Sequence, residues 1–405
     1  MHSKRTQKRL QQLASLLSPL AKLLSLAVRK TNGEQQLWGF LLSEHQGLDG
    51  NLRAMLDYAY QQADITPYLI NARDDEIAQY QRLYPGITVV FPHSWRHGHF
   101  RLRSNTHAYF VTHGSQELRG LYSMFKPSVI NLWHGIPLKG MCNLDYKFKR
   151  GSLSKLFKRG LGIDAFCVSS ITERALIAGC FLMDAQRIKV TGIPRNDWLT
   201  CPAEQLPQDL AADQSKLKAL LNGKKLVLYA PTFRDYDRKA CGFNSESMAQ
   251  LTTTLSQHNA VLGIRAHPRD QGLFSPFIDN ANVLDLDYRH YPELNTVMRN
   301  TDILITDYSS LWVDFLLLDK PIVGYAFDIE QYQGSRGLLY DYDNQFPGPL
   351  TQTWQQLAST LAALLAQPSI SVAEKQLWLK RFFHQPLDGS RCQAIHQLLV
   401  NSAKQ

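Results

Sequence analysis

Five short blocks of the sequence carry polar or cationic side chains directly after a run of apolar residues. The blocks are residues 131–139 (NLWHGIPLK), 190–197 (VTGIPRND), 228–234 (LYAPTFR), 263–268 (GIRAHP) and 302–310 (DILITDYSS). A histidine can accept a proton near neutral pH, because the pKa of a free imidazole is ~6.5. Arginine can form two parallel hydrogen bonds to phosphate oxygens, and the N-terminus of a helix binds anions favourably. Together the blocks predict a site that binds a doubly anionic ligand and moves a proton.

Each block also has a structural interpretation when it is taken alone. His134 could pack as an ordinary structural histidine, and Arg195 could pair with Asp197 in its own loop. Ser309 and Ser310 could serve as helix N-caps, with or without a bound anion. We favour the ligand-binding interpretation because all five blocks follow an apolar run in the same way.

The blocks lie within a regular alternation of predicted strands and helices. Strands are predicted at 37–42, 87–91, 108–112, 129–133 and 165–169, and again at 226–229, 260–264, 282–285, 303–306 and 322–325. Helical patterns lie between them, for example at 51–62, 173–178, 247–257 and 311–318. Such alternation predicts parallel sheets, and ligands bind beyond the carboxyl ends of parallel strands. We therefore expect two parallel-sheet α/β domains facing a cleft.

The domain boundaries follow from changes in pattern along the chain. A polar, irregular stretch with two prolines after Asp197 separates the two series of strands, so we expect domains at 31–200 and 201–370. Residues 371–405 are predicted to be helical. Residues 1–30 repeat leucine at helical spacing among Lys and Arg, which is typical of an amphipathic basic helix. That helix could lie on an anionic membrane or pack on its own domain, and the sequence leaves both open.

Composition limits the class of protein. The chain has 405 residues, 44% of them hydrophobic, which is ordinary for a globular protein. Lys and Arg number 44 against 35 Asp and Glu, and the net charge of +9 favours an anionic partner. Six cysteines without a CxxC pair predict free thiols in a reducing compartment. No apolar run approaches the ~18 residues of a membrane span, and no signal peptide is recognisable, so we expect a cytoplasmic protein, soluble or peripheral.

Common nucleotide and metal motifs are absent from the sequence. The patterns GxGxxG and GxxxxGK(S/T) do not occur, which argues against dinucleotide oxidoreductases and P-loop NTPases. HExxH is also absent. Asp285 and Asp287 form a DxD pair, and His93, His97 and His99 have ligand-like spacing, but neither group has further acidic residues close by. We expect no metal site and no cofactor.

In order along the chain, the blocks carry a family resemblance. WHGIPLK, TGIPRND, YAPTFRD, IRAHP and TDYSSLWVDFLLLDKPIVGY are followed by RGLLYDY and FPGP. This series, from about residue 125 to 350, resembles the CDP-glycerol glycerophosphotransferase family, the teichoic acid primases and polymerases of bacteria. The resemblance implies a GT-B fold, with two Rossmann-like domains and C-terminal helices that cross back. It also implies transfer of a polyol phosphate from a CDP-linked donor to an acceptor hydroxyl, with release of CMP and without a required metal.

The resemblance also implies roles for individual residues. His134 would be the catalytic base, and His267 would join the catalytic set by neutralising charge on the transferred phosphate. Ser309 and Ser310 would take the pyrophosphate, and Asp314 the nucleoside side. The other residues that would line or hold the CDP donor are Gly135, Ile136, Pro137, Leu138, Arg195, Pro231, Thr232, Arg265 and Ala266.

The same resemblance implies the partners. The donor would be CDP-glycerol or CDP-ribitol, bound mainly by residues 201–370, and the acceptor would be a lipid-linked or polysaccharide polymer on the side of residues 31–200. Lipid-linked acceptors favour peripheral contact with the inner face of the cell membrane. That contact would use residues 1–30 and the basic, apolar-interleaved run at 147–159. A solvated face is the alternative for the run at 147–159, and we favour membrane contact. One alternative is a GT-B glycosyltransferase that uses a sugar nucleotide. The other is a non-catalytic binder of nucleic acid or acidic polymer, although no RNA- or DNA-binding motif is visible.

Overall fold

The structure is a computed structural model that describes most of the chain. The described residues are 35–42, 47–48, 50–91, 97–113, 127–145, 162–234, 237, 241–270, 272–336, 338–367, 372 and 374–402. The expected basic helix at 1–30, the basic run at 147–159 and His93 lie outside these residues.

Strands and helices alternate through the described chain. The strands are β1 (Gln36–Leu41), β2 (Ile65–Ile70), β3 (Thr88–Val90), β4 (Thr106–Val111), β5 (Ser128–Asn131), β6 (Ala165–Val168), β7 (Ile188–Val190), β8 (Lys225–Ala230), β9 (Ala260–Ile264), β10 (Val283–Asp285), β11 (Ile303–Thr306), β12 (Ile322–Tyr325) and β13 (Leu350–Thr351). The α-helices are α1 (Gly50–Tyr60), α2 (Asp74–Leu83), α3 (His97–Ser104), α4 (Ile171–Phe181), α5 (Asp197–Thr200), α6 (Gln208–Leu221), α7 (Ser245–Gln257), α8 (Leu294–Asn300), α9 (Leu311–Phe315), α10 (Ile329–Arg336), α11 (Tyr342–Gln345), α12 (Trp354–Leu365), α13 (Glu374–Phe383) and α14 (Arg391–Ser402). None of the helices in these described ranges is both long and apolar enough to cross a membrane.

The described residues divide into two compact units. The first unit takes those as far as His134, those from 162 to Arg195, and those from Leu387 onward. The second takes the described part of Gly135–Phe148 together with Asn196–Pro386. The chain therefore passes between the units directly after His134 and again after Arg195.

The first unit is built on a seven-stranded sheet with the order β3-β2-β1-β4-β5-β6-β7. Every pairing in it is parallel. Helices must cover both faces of a parallel sheet, and β1 is correspondingly buried, with Trp38 and Phe40 wholly inaccessible. The order reverses between β1 and β4, so the loops after these strands form the topological switch point of the sheet.

The second unit repeats this plan with a six-stranded parallel sheet of order β10-β9-β8-β11-β12-β13. Its order reverses between β8 and β11. Two cores flank the sheet, one containing Leu226 and Leu228 and the other Val227 and Tyr229. This strict alternation along β8 shows that both faces are covered. The expected architecture of two parallel-sheet α/β domains is confirmed.

Three strands were not predicted from the sequence. β2 contains Pro67, which lacks an N–H and usually marks a strand at a sheet edge. Here β2 lies between β3 and β1, and Pro67 stands in register with Trp38. β7 has three residues and β13 two, which is too short for an alternating pattern to be recognised.

The C-terminal helical segment is shared between the two units. α13 contributes Leu379 and Phe383 to a core of the second unit. α14 contributes Cys392 and Ile395 to the core of the first. Pro386 lies between the two helices, where the chain leaves the second unit.

Candidate active site

His134 lies three residues beyond β5, at the carboxyl edge of the first sheet. The preceding Trp133 has a φ of 55°, in the left-handed region that non-glycine residues rarely adopt. Asn51 in α1 donates to the carbonyls of Leu132 and Trp133 at 3.1 and 3.0 Å. The Trp133 N–H donates to Asn131 Oδ1 at 2.8 Å. These bonds hold an unfavourable turn in place and so fix the main chain that presents His134.

The hydrogen bonding of His134 identifies its protonated nitrogen. Nδ1 lies 3.3 Å from the carbonyl oxygen of Thr112. Because a carbonyl can only accept, Nδ1 carries the proton and Nε2 keeps a lone pair. The pKa of His134 is lowered to about 4, first because the surrounding protein desolvates the ring and then because His113 and Arg195 lie nearby. His134 is exposed to solvent, and a neutral imidazole that solvent and an acceptor can reach can act as a general base at neutral pH.

Arg195 contacts the main chain of the same loop. Its N–H donates to Asn51 Oδ1 at 3.1 Å, and its Nη1 donates to the His134 carbonyl at 3.0 Å. Asn51 thus links the WHG and GIPR blocks, because its Nδ2 donates to the first block and its Oδ1 accepts from the second. The phosphate contact expected of Arg195 stays a prediction.

In the second unit, the blocks after β8 and β11 lie side by side at the topological switch point. Thr306 Oγ1 donates to the carbonyl of Ala230 at 2.7 Å, and the Thr232 N–H donates to Asp307 Oδ1 at 2.8 Å. The Thr232 hydroxyl is buried and makes no hydrogen bond to the part of the chain that the structure describes. Open α/β sheets bind ligands at this edge, where Pro231 also lies.

A buried arginine fastens these loops together. Arg234 is 3% exposed, and its Nη1 lies 2.5 Å from Asp307 Oδ2 while its Nε lies 3.0 Å from Asp328 Oδ2. Its guanidinium also covers the rings of Tyr308 and Phe327. Burial lowers the pKa of Arg234, but the two carboxylates raise it by more, so the group stays charged. One residue thus connects the ends of β8, β11 and β12.

The two serines of the DYSS block differ in what they bond. Ser309 Oγ accepts from the Leu311 N–H at 3.3 Å, which is a capping contact at the start of α9. Ser310 occupies the N-cap position, but its side chain makes no capping hydrogen bond. Asp314 is 2% exposed and accepts from Asn196 Nδ2 at 3.0 Å. The donor-binding roles of Ser309, Ser310 and Asp314 stay predictions.

Arg265 is engaged with main-chain carbonyls. Its Nη1 donates to the carbonyls of Leu286 and Tyr291 at 2.9 and 2.5 Å, and its Nη2 lies 3.3 Å from that of Pro292. Burial lowers the pKa of Arg265 to about 10. Arg265 therefore shapes the loop after β10, and Ala266, the next residue, is partly buried.

His267 has the opposite tautomer from His134. The Arg269 N–H donates to His267 Nδ1 at 3.1 Å, so in the neutral ring the proton lies on Nε2. The side chain is exposed and its ring centroid is 5.5 Å from that of Phe233. Desolvation lowers the pKa of His267, and Arg269 and Lys139 lower it further. An accessible Nε2–H is a hydrogen-bond donor suited to a phosphate oxygen.

Residues 135–138 of the WHG block belong to the second unit. Ile136 and Leu138 are buried in one of its cores, and the Leu338–Leu339 segment bonds to the same stretch through Leu138 and Lys139. Gly135 and Pro137 are also buried. The predicted lining residues thus share a unit with the other predicted donor-binding residues of β8, β9 and β11.

Among the described residues, one group has the spacing of metal ligands: Asp285, Asp287 and His290. Arg289 Nη2 lies 2.5 Å from Asp287 Oδ2 and 3.8 Å from Asp285 Oδ2, and His290 Nε2 lies 3.6 Å from Asp285. A cation of the protein already balances these carboxylates. The DxD pair therefore has a structural explanation.

A family profile described as CDP-Glycerol:Poly(glycerophosphate) glycerophosphotransferase matches residues 24–401. The chain belongs to this family. The match extends to the N-terminal residues beyond the blocks that carry the resemblance.

Individual members of the family resemble the chain at the level of sequence and fold. Teichoic acid ribitol-phosphate polymerase TarK of Staphylococcus aureus is 29% identical over 58% of the chain and 46% of its own length. A teichoic acid poly(glycerol phosphate) polymerase of Bacillus spizizenii is 29% identical over 57% of the chain and 60% of its own length. The solved structure of the wall teichoic acid polymerase TagF has a TM-score of 0.73 at 22% identity and covers 100% of the chain. The chain spans about half the length of the curated relatives it matches first.

Several residues of the candidate site were not predicted from the sequence. Asn51 and Arg234 organise the loops, and His113 lies against His134 with ring centroids 5.2 Å apart. His113-Gly114 follows a predicted strand just as His134-Gly135 does, and that repetition was the available signal. No comparable signal marks Asn51, because its partners are more than eighty residues away.

Proposed function

We propose that this chain transfers a polyol phosphate, with glycerol phosphate favoured, from a CDP-linked donor to a hydroxyl of a lipid-linked or cell-surface polymer, releasing CMP. The observation that carries this proposal is His134, a neutral histidine whose Nδ1 donates to the Thr112 carbonyl and whose Nε2 can accept a proton. Family membership supports the same activity.

The reaction needs a base that deprotonates the acceptor hydroxyl and positive charge that stabilises the phosphate oxygens. The acceptor oxygen attacks the β-phosphorus of the donor while its proton passes to His134 Nε2. The bond from that phosphorus to the bridging oxygen breaks, and CMP leaves with the bonding electrons. Phosphoryl transfer depends mainly on such positioning and electrostatic stabilisation.

The second unit supplies the groups proposed to hold the donor. His267 would donate from Nε2 to a phosphate oxygen, and the hydroxyls of Ser310 and Thr232 would donate to others. Arg265 would act on the donor through the loop that it braces, since its printed hydrogen bonds all go to main-chain carbonyls. Each fixed donor of this kind is worth ~10²–10³ in rate when it meets developing charge.

The proposal is tested by nucleotide release from a panel of donors. The full chain is incubated with CDP-glycerol, CDP-ribitol, UDP-glucose or GDP-mannose in the presence of a bacterial membrane extract as acceptor. We expect CMP from a CDP-polyol and no UDP or GDP above the level without protein. Release from a sugar nucleotide alone would replace this proposal with a glycosyltransferase.

CDP-ribitol is the second candidate donor. Relatives of similar identity are named for ribitol phosphate and for glycerol phosphate. The five blocks are proposed to bind the phosphates and the nucleotide of the donor. None of them is assigned to the polyol. The ratio of kcat/KM for the two CDP-polyols decides between the donors.

Peripheral contact with the inner face of the cell membrane forms part of the proposal. It is supported by the basic amphipathic pattern of residues 1–30 and by a net charge of +9. A lipid-linked acceptor would be reached from that surface. The proposed location is therefore cytoplasmic and membrane-associated.

A further inference from the structure

Two histidine-glycine steps follow neighbouring strands of the first sheet. β4 and β5 are parallel and pair Val111 with Asn131. His113 comes two residues after β4, and His134 comes three residues after β5. Parallel strands end at the same edge of a sheet, so the two imidazoles are brought together by topology.

The two rings are in contact. Their centroids are 5.2 Å apart and their planes are inclined by 24°, which is a stacked arrangement. The Trp133 ring lies on His134 as well, with a centroid separation of 3.9 Å. The exposed His134 ring therefore contacts two aromatic neighbours and the Thr112 carbonyl.

His113 is itself held by its surroundings. Its Nδ1 lies 3.1 Å from Thr112 Oγ1, and its carbonyl accepts a short hydrogen bond from Asn131 Nδ2. Asn131 also accepts from the N–H of Trp133. One asparagine thus ties the loop of His113 to the loop of His134.

We propose that His113 is a positioning residue of the catalytic site, whose imidazole stacks on His134 and fixes that ring with Nε2 as the proton acceptor. This inference rests on the proposed function of His134 as the base. The family resemblance implies one catalytic histidine in the first unit, His134. The inference adds His113 beside it.

The pair has an electrostatic consequence. A protonated His134 would lie beside His113 and Arg195, and each of them disfavours its positive charge. The Thr112 carbonyl acts in the opposite direction, because it accepts from Nδ1–H. Replacing His113 with a neutral group should therefore raise the pKa of His134 and move the acid limb of the rate profile to higher pH.

Two variants separate stacking from charge. His113→Phe keeps an aromatic ring against His134 and removes the ionisable group, while His113→Ala removes both. We expect the acid limb to rise by at least about 0.5 pH unit in both variants. We expect kcat to fall about tenfold or more in His113→Ala and by less in His113→Phe, because only the alanine frees the His134 ring.

The titration of His134 is measured directly by NMR on ¹³C-histidine-labelled full-length protein, with His134→Asn used to assign its signal. His258→Phe serves as the control, because His258 lies at the end of α7 in the second unit, and it should change neither titration nor kcat. An unchanged His134 titration in well-folded His113→Phe and His113→Ala would overturn the proposal. A shifted titration in a protein that releases no CMP would keep the histidine pair and reject the proposed function.

Discussion

His134 of the first unit and His267 of the second unit carry their protons on different nitrogens. His134 donates from Nδ1 to a carbonyl, whereas His267 accepts at Nδ1 from the Arg269 N–H. The first ring therefore offers a lone pair at Nε2, and the second offers an Nε2–H. The proposed base and the proposed phosphate-binding donor thus differ in the main-chain contact that each ring makes.

The lowered pKa of His134 predicts the pH dependence of catalysis. The base works only when it is neutral, so activity is kept above its pKa and lost as pH falls through it. With a pKa of about 4, kcat/KM should hold down to mildly acidic pH instead of falling near the ordinary histidine value of ~6.5. Initial rates of CMP release across the acid range, in a stable buffer series, provide the measurement. An acid limb near 6.5 would mean that the surroundings of His134 do not lower its pKa.

Residue identities could be predicted better than residue contacts. His134, His267 and Ser310 follow strands, and a strand end is visible in the sequence. Arg265 also follows a strand, yet its hydrogen bonds go to carbonyls more than twenty residues further along. Nothing in its neighbours specifies those partners, because they depend on the path of the loop after β10.

At the scale of elements, three strand ends depend on one buried ion cluster. Arg234 follows β8, Asp307 follows β11 and Asp328 follows β12, and the first two are 3% and 0% exposed. Leaving a buried charge without its partner is far more costly than losing an exposed pair. The cluster therefore sets the relative positions of the loops that carry Thr232 and Ser310.

Arg234→Met should accordingly destabilise the protein by ~3–5 kcal/mol, because Asp307 would remain buried and unpaired. The matched control is Lys380→Gln, which removes the exposed pair with Asp319 and should cost about 1 kcal/mol or less. Urea denaturation followed by circular dichroism measures both. Equal losses in the two variants would show that the Arg234 cluster does not hold these loops.

The elements themselves were predictable where their patterns were long. β1, β8 and β9 are apolar runs next to turn residues, and they were placed from the sequence to within about two residues. β2 was not predicted because proline is unfavourable inside a strand, and β2 contains Pro67. The pairing of β2 with β1 is visible only in the folded sheet. Long-range pairing overrode a local signal.

At the scale of the whole molecule, the chain crosses between its two units more often than one linker would require. The sequence indicates two strand series, and two units exist. The described part of Gly135–Phe148 nevertheless belongs to the second unit, because Ile136 and Leu138 are buried in its core. Periodicity could not have predicted this, since it reports which residues are apolar and not which core receives them.

Residues 1–30 allow a test of membrane contact by the whole chain. We expect the full chain to co-sediment with vesicles that contain anionic lipid and to do so less at high salt. A chain lacking residues 1–30 should bind several-fold less, while vesicles of neutral lipid should bind neither. Unchanged binding of the shortened chain would assign those residues to packing on the protein.

The most direct test of the account compares turnover with donor binding in His134→Asn. CMP release from CDP-glycerol is measured beside the calorimetric Kd for the same donor, with His258→Asn as a control histidine in the second unit. The account predicts that turnover falls by ~10²–10⁴ in His134→Asn, while the donor Kd changes by less than about twofold and the control matches the wild type. Turnover close to the wild type in His134→Asn would contradict the assignment of His134 as the base.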